Sequence, residues 1–417
     1  MQFTRFLRNP SVTSAEIWRH AGEQTGRRAA GREVVAIQDT SELVLGGRRA
    51  RGAGYGPVGK GGVLSGLLLH PVLAVEVGSE ALLGVVSLQI WNRPGGGQRA
   101  SRRQRTTSGK ESQRWIEGMQ QAGEVLGEAS GVTVLCDREA DMYELFARRP
   151  ADVQLIVRAC QNRRIEPPTA TDEELLFSFI DRQPEQGRVE IAVPAAPGRL
   201  ARRAELAVRF APVLLRRPLH GADPTLSKTQ AVSLVELRET AVPAVGKPLH
   251  WRLLTTHPVA DLAQARRVVE LYRLRWIIEE FFQTLKTAGF DIEAADIGEP
   301  AAMINFVAAA TVAAVTIKQL VQARDGTTDQ KLADAFDPDD RPLLEAVSSK
   351  LEGKTERQRN PHPNGSLAFA AWVIARLGGW TGYYGKPGAK VMRIGLAEFH
   401  AIKYGSALVP RSNTPWG

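Results

Sequence analysis

The segment YRLRWIIEEFFQTLK, Tyr272 to Lys286, carries the densest set of side chains that could do chemistry. At about 100° per residue on a helix, Tyr272, Arg275, Glu279 and Lys286 fall within an arc of roughly 60°, while Glu280 lies outside it. One face thus gathers a phenol, a guanidinium, a carboxylate and an ammonium. Periodicity alone also allows an ordinary ion-pair stripe, since Arg275 and Glu279 are i,i+4 partners. Two further carboxylates close apolar, β-branched runs: Asp39 follows Val34-Val35-Ala36-Ile37-Gln38, and Asp137 follows Val132-Thr133-Val134-Leu135-Cys136. Each run reads as a buried strand with a carboxylate at its end.

Other chemistries find little support. The seven His residues show no chelating spacing, and no Gly-x-Ser-x-Gly elbow occurs. Gly54 to Gly61 (GYGPVGKG) has the glycine and lysine spacing of a phosphate loop, but Gly61 stands where Ser or Thr would hold Mg²⁺. Cys136 and Cys160 both sit in apolar settings, which excludes a disulfide framework and suits a reducing compartment. No apolar stretch follows the charge at the N-terminus, so no secretory signal is read and a cytoplasmic location is expected. Ala301 to Ile317 is apolar but interrupted by Asn305, Thr311 and Thr316, and is expected to be a buried helix rather than a membrane span.

With 417 residues, 43% of them hydrophobic and 24% charged, the chain is of globular composition and long enough for two to three domains. Its charge is unevenly placed. The first 110 residues hold 16 Lys and Arg against 7 Asp and Glu, an excess equal to the +9 of the whole chain. Arg93 to Lys110 (RPGGGQRASRRQRTTSGK) contains six basic residues and no acid, a composition suited to a polyphosphate surface. Arg48, Arg49 and Arg51 form a second basic cluster.

The elements that must position these residues follow from periodicity. Val34 to Ile37, Leu64 to Leu69 and Val85 to Trp91 read as an antiparallel meander, followed by a helix over 111–128, the strand Val132 to Cys136 and a helix from Arg138 to Ala147. Between 153 and 256 come short strands separated by Pro and Gly: Val153 to Val157, Val189 to Val193, Ala204 to Leu215 and Trp251 to Thr255. Leu262 to Ala288 reads as one helix, 301–322 as a second, and 341–352 and 366–378 as two more.

Tyr-x-x-Arg-x-x-x-Glu-x-x-x-x-x-x-Lys, matched by Tyr272, Arg275, Glu279 and Lys286, resembles the signature of bacterial DDE transposases of the IS-four family, Tn-five type. Ala36 to Thr40 and Cys136 to Asp141 resemble the segments carrying that family's two catalytic Asp residues. Lys110-Glu111-Ser112, Leu254 to Val259 and Ala375 to Gly379 resemble further blocks, and the likeness runs from about Asn9 to about residue 405. The resemblance implies a ribonuclease H-like α/β core with an inserted antiparallel β region and a helical C-terminal region. It implies that Asp39, Asp137 and Glu279 are catalytic and hold two Mg²⁺ ions, or Mn²⁺. Three carboxylates suit such ions, being hard oxygen ligands. Tyr272, Arg275 and Lys286 would contact DNA near the cleaved strand, Trp251 would stack beside a flipped base, and Arg158 would clamp the same region.

The expected organisation is a helical N-terminal remnant at 1–30 and a catalytic core at 31–152 and 257–325. The core is split by the β insertion at 153–256 and followed by a helical, dimerising region at 326–417. Only 38 residues precede Asp39, so the family's helical end-binding domain is expected to be missing. The expected function is cut-and-paste transposition by strand nicking, hairpin formation and strand transfer. Its partners would be transposon-end DNA, target DNA and a second copy of the chain, with no membrane. Two alternatives stand beside it: a non-catalytic dimerising inhibitor of a full-length transposase, and a ribonuclease H-like structure-selective nuclease. For the dimer, Ser366 to Gly379 (SLAFAAWVIARLGG) is expected to present more apolar surface than one intramolecular face needs.

The basic loop leads to a direct expectation. Replacing Arg99, Arg102, Arg103 and Arg105 together by Ala should flatten the salt dependence of non-specific DNA binding, each lost phosphate contact removing roughly 0.9 from the log–log slope. A salt titration with an unchanged slope would show that the loop does not touch DNA.

Overall fold

The computed structural model describes residues 2–48, 54–93, 111–166, 174–193, 201–220, 222–243 and 245–408. Arg99, Arg102, Arg103 and Arg105, with Arg49 and Arg51, lie outside the described residues. In chain order the elements are α1 (Gln2–Arg8), α2 (Ser14–Ala29), β1 (Glu33–Gln38), β2 (Ser41–Val44), β3 (Gly56–Val58), β4 (Leu64–Glu76) and β5 (Leu82–Trp91). Then come α3 (Gln113–Val125), β6 (Gly131–Cys136), α4 (Tyr143–Ala147) and β7 (Val153–Arg158). The middle of the chain supplies β8 (Arg164–Glu166), β9 (Glu174–Leu175), α5 (Leu176–Asp181), β10 (Gly187–Val193), β11 (Arg202–Arg216), β12 (Thr229–Glu239) and β13 (His250–Thr255). Six helices follow: α6 (Leu262–Arg273), α7 (Trp276–Gln283), α8 (Pro300–Ala323), α9 (Arg341–Leu351), α10 (Leu367–Leu377) and α11 (Ala389–Leu408).

β1 explains the layers. Val34 to Ile37 are all fully buried because successive side chains point to opposite faces and both faces are covered. Val34 and Ala36 pack with Trp115, Ile116 and Met119 of α3 and Tyr143 of α4. Val35 and Ile37 join the core shared with Leu271 of α6, Ile278 of α7 and Val307 of α8. β1 pairs antiparallel with β4, which pairs with β5, and on its other side parallel with β6, which pairs parallel with β7. Two antiparallel pairings beside two parallel ones, flanked by helices, form the expected ribonuclease H-like α/β core.

The β insertion is hydrogen-bonded to that core. β13 pairs antiparallel with β7 through Leu253↔Arg158 and Leu254↔Val157, and β12, β11, β8 and β9 continue the order outward. The result is one open mixed sheet across core and insertion. Within the insertion, fully buried Glu236 collects Arg209, Arg252 and His250, so its charge is balanced where no water reaches it.

Three expected elements differ. The helix over 262–288 is broken at Leu274 and Arg275, between α6 and α7, and ends in a π-turn at Thr284–Ala288. Neither Gly nor Pro marks the break; it falls where Arg275 turns to an ion pair with Asp39. Arg138 to Ala147 is a short 3₁₀ turn followed by α4, because Asp141 between them is drawn into the interior. The apolar surface of 366–379 is covered within the chain: Leu367 to Ala375 are all buried, in a core with Leu320 of α8 and Met392 and Phe399 of α11. α10 therefore offers no free face to a partner helix. Cys136 is buried as expected, but Cys160 is exposed. α8 is long and apolar enough to cross a membrane, yet it serves as a core helix, with Asn305 bonded to the Leu7 and Val12 carbonyls and Gln319 to the Leu82 and Asp334 carbonyls.

The α10/α11 contact depends on the absence of a side chain at Gly395, where a Cβ would stand 1.8 Å from the Ile374 carbonyl oxygen. Gly395→Ala should force the helices apart and cost about 2 kcal/mol or more. Chemical denaturation should show it as a lowered midpoint, whereas an unchanged midpoint would mean that the two helices are not in register as described.

Candidate active site

The β1–β6 register places two carboxylates side by side. The last ladder pair is Ile37↔Leu135, so Asp39 and Asp137 each stand two residues beyond it on parallel neighbours. Both carboxylates are turned by their own loops: Asp39 Oδ1 accepts from the Thr40 amide and Asp137 Oδ1 from the Glu139 amide, each at 2.8 Å. Glu279 comes from the first turn of α7, on the face of the sheet that α6 and α8 also cover.

Arg275, 15% exposed at the start of α7, ties these pieces together. Its Nη1 donates to Asp39 Oδ2 at 3.0 Å and its Nη2 to Glu279 Oε1 at 2.7 Å. Burial pushes the Asp39 carboxyl up to about 6, with the Asp137 and Glu279 charges adding to the rise and Arg275 and the Thr40 amide opposing it. Asp39 thus senses both other carboxylates. Among the described residues, however, no group of three or more Asp, Glu, His or Cys is assembled closely enough to hold a metal ion. The Arg275 guanidinium stands between Asp39 and Glu279 and pairs with both. The donor set itself, carboxylate oxygens only, suits Mg²⁺ or Mn²⁺.

Beside the carboxylates lies a cavity of about 710 Å³ lined by Arg158, Trp251, Tyr272, Arg275 and Trp276 among others. Trp251 and Tyr272 meet edge to face, their rings 5.6 Å apart. The Tyr272 hydroxyl is buried without a hydrogen-bond partner among the described residues, and burial raises its pKa to about 12. A buried, unpaired phenol in a cavity beside arginines is a donor held ready for an anionic or carbonyl acceptor. Arg158 is anchored on β7, its Nη2 donating to the His250 carbonyl at 3.2 Å. Trp276 is half exposed.

The structure therefore gathers Asp39, Asp137, Glu279, Arg275, Tyr272, Trp251 and Arg158. Lys286 has other partners: in the π-turn its Nζ bonds the Glu42 carbonyl and lies 3.5 Å from Glu293 Oε1, which also accepts from the Val44 amide. Between Glu279 and Lys286 the helix widens from α7 into the π-turn, which alters the angular spacing assumed for a single face. The sequence reading missed Gln38, His70 and Arg114, which meet behind Asp39; the Lys110-Glu111-Ser112 block adjoining Arg114 was the available signal.

Residues 102–315, just over half of the 417, match the protein family described as Transposase DDE domain. The matched stretch takes in Asp137 and Glu279 and begins after Asp39.

The raised Asp39 pKa has a consequence for stability. Folding favours the protonated carboxyl, a preference fully present below about pH 4 and lost as pH rises through about 6. At neutral pH the ionised group costs on the order of 3 kcal/mol. Asp39→Asn should raise the thermal midpoint at pH 7.5 without metal, and the gap should close below pH 4. A variant no more stable than the parent at pH 7.5 would contradict the electrostatics described.

Proposed function

The chain belongs to the family of transposases with a DDE domain, and from that premise we propose that it is a cut-and-paste transposase of the IS-four family, Tn-five type. In this reading Asp39, Asp137 and Glu279 hold two Mg²⁺ ions, or Mn²⁺. The observation that carries it is Arg275 bridging Asp39 and Glu279 while Asp137 stands in register beside Asp39. One cation thus pairs with two acidic groups from remote parts of the sequence, and the third stands beside the first.

Bound divalent ions would activate an attacking oxygen and stabilise the oxygen that leaves phosphorus. The chain's own residues prepare that step. Asp39 and Asp137 are kept turned by the Thr40 and Glu139 amides. Arg275 balances the Asp39 and Glu279 carboxylates and, with a phosphate at the site, would have a third anionic partner. Tyr272 offers its hydroxyl to the strand, Arg158 supplies positive charge, and Trp251 provides the aromatic surface that offsets unstacking of a base. In sequence, water would cleave one strand, and the freed 3′-hydroxyl would attack the opposite strand and close a hairpin as that strand's bond to the flanking DNA breaks. Water would reopen the hairpin, and the regenerated 3′-hydroxyl would attack target DNA, displacing a target 3′-oxygen. The transposon ends, the target and a second copy of the chain are the partners this reading requires.

Asp39→Ala, Asp137→Ala and Glu279→Ala should each reduce divalent-metal-dependent cleavage of a labelled transposon-end duplex by about a thousandfold or more, with the fold retained. Glu280→Ala should be mild, since Glu280 forms a part-exposed ion pair with Lys318. If Asp39→Ala cleaves as fast as the parent, the triad is wrongly assigned.

A further inference from the structure

We propose that Arg114, a residue of α3 that touches neither carboxylate, is the positioning residue that locks the Asp39 and Asp137 loops to each other; the proposal rests on the three-carboxylate reading above. The ladder between β1 and β6 stops at Ile37↔Leu135, so no backbone hydrogen bond between the strands fixes the two loops that follow. Two side-chain bridges replace it. On the strand side, Gln38 Nε2 donates to Cys136 Sγ at 3.2 Å. On the far side, Arg114 Nε donates to Thr40 Oγ1 at 2.8 Å and its Nη2 to Glu139 Oε2 at 2.7 Å. Asp39 and Asp137 therefore lie between the two bridges.

The guanidinium is itself held still. Its Nη1 donates to the Glu111 carbonyl at 2.7 Å, and the Trp91 and Trp115 rings each lie 5.5 Å from its carbon. Glu111 is fixed in turn by Arg93, through Nε and Nη2 at 2.7 Å each. The bonds behind it join into one chain. The Gln38 amino group donates to Cys136 Sγ and to the Trp115 carbonyl, which can only accept, so Gln38 Oε1 faces His70 and accepts from its Nε2 at 3.1 Å. His70 Nδ1 in turn meets Thr40 Oγ1 at 2.9 Å, and that oxygen accepts from Arg114. The relay runs unbroken from Arg114 through Thr40, His70 and Gln38 to Cys136, so the two bridges are one network.

The Thr40 and Glu139 amides report directly on this lock, because each is bonded to the carboxylate of its own loop. Hydrogen exchange resolved to these two amides, on the full chain without metal or DNA, is the test. Arg114→Lys keeps the charge but loses the fork, and should speed both amides by about tenfold. The decisive variant is Glu139→Gln. Its exposed side chain can be altered without threat to folding, and it should speed exchange at Thr40, across the strands, to which the Glu139 side chain is linked through Arg114. Thr40→Ser keeps the hydroxyl and should retain parent rates, whereas Thr40→Val should loosen Glu139. If Glu139→Gln leaves Thr40 unchanged, Arg114 merely packs between tryptophans and the proposal fails. Mn²⁺ titrated calorimetrically into the same proteins should bind roughly 10- to 100-fold more weakly to Arg114→Lys than to the parent. A parent that binds no Mn²⁺ would sink the three-carboxylate reading while the exchange rates still decide the lock.

Discussion

The parallel pairing of β1 with β6 is the constraint on which the site depends. It sets Asp39 and Asp137 abreast at the ends of neighbouring strands, an arrangement that two like charges oppose once water is removed. Burial raises the Asp39 carboxyl to about 6, and the Asp137 charge adds to that rise. What holds the arrangement is the depth of packing behind it, since both faces of β1 are buried from Val34 to Ile37. The local counterweights are two loop amides and the Arg275 guanidinium. The turn between α6 and α7 falls at Arg275, the residue that pairs with Asp39.

The segment Asp137-Arg138-Glu139-Ala140-Asp141 shows how one short motif divides its work. Asp141 is fully buried and accepts from the Cys160 and Gln161 amides at 2.7 and 2.8 Å, with Arg163 paired to its other oxygen. A carboxylate so completely satisfied anchors the loop after β7 and has no capacity left for a ligand. Asp137, four residues earlier, keeps one oxygen on the Glu139 amide and leaves the other available. Residue type cannot separate the two roles; burial and the donor count can.

Much of the core was legible because its signals are local. β-branched runs ending in Asp gave β1 and β6, and the apolar spacing of Trp115, Ile116 and Met119 gave α3. The carboxylates and the residues of the cavity were legible through the resemblance of short segments. The non-local features were not. The joining of the insertion to the core rests on β13 pairing with β7, about ninety residues apart, which no window of sequence reports. The free apolar face expected of α10 vanished because helices on several sides contribute to its burial, and helical periodicity counts apolar positions without knowing how many neighbours will cover them. Lys286 was placed with Glu279 by an assumption of regular α-helical spacing that the π-turn at Thr284–Ala288 alters.

That the insertion is part of the sheet matters for the proposed chemistry. Arg158 stands at the end of β7 and Trp251 near the start of β13, and β7 is hydrogen-bonded to β6, the strand that delivers Asp137. Three inter-strand steps of about 4.8 Å thus separate the strand of Trp251 from that of Asp39. A domain on a flexible tether would leave the distance from aromatic to carboxylate undefined, and a base held in the cavity would not fix its phosphate at the metal ligands. A shared hydrogen-bonded sheet makes that distance a property of backbone geometry. α6 and α7 then close the same cavity with Tyr272 and Arg275, so the residues that would grip the strand and those that would cut it are referred to one rigid frame.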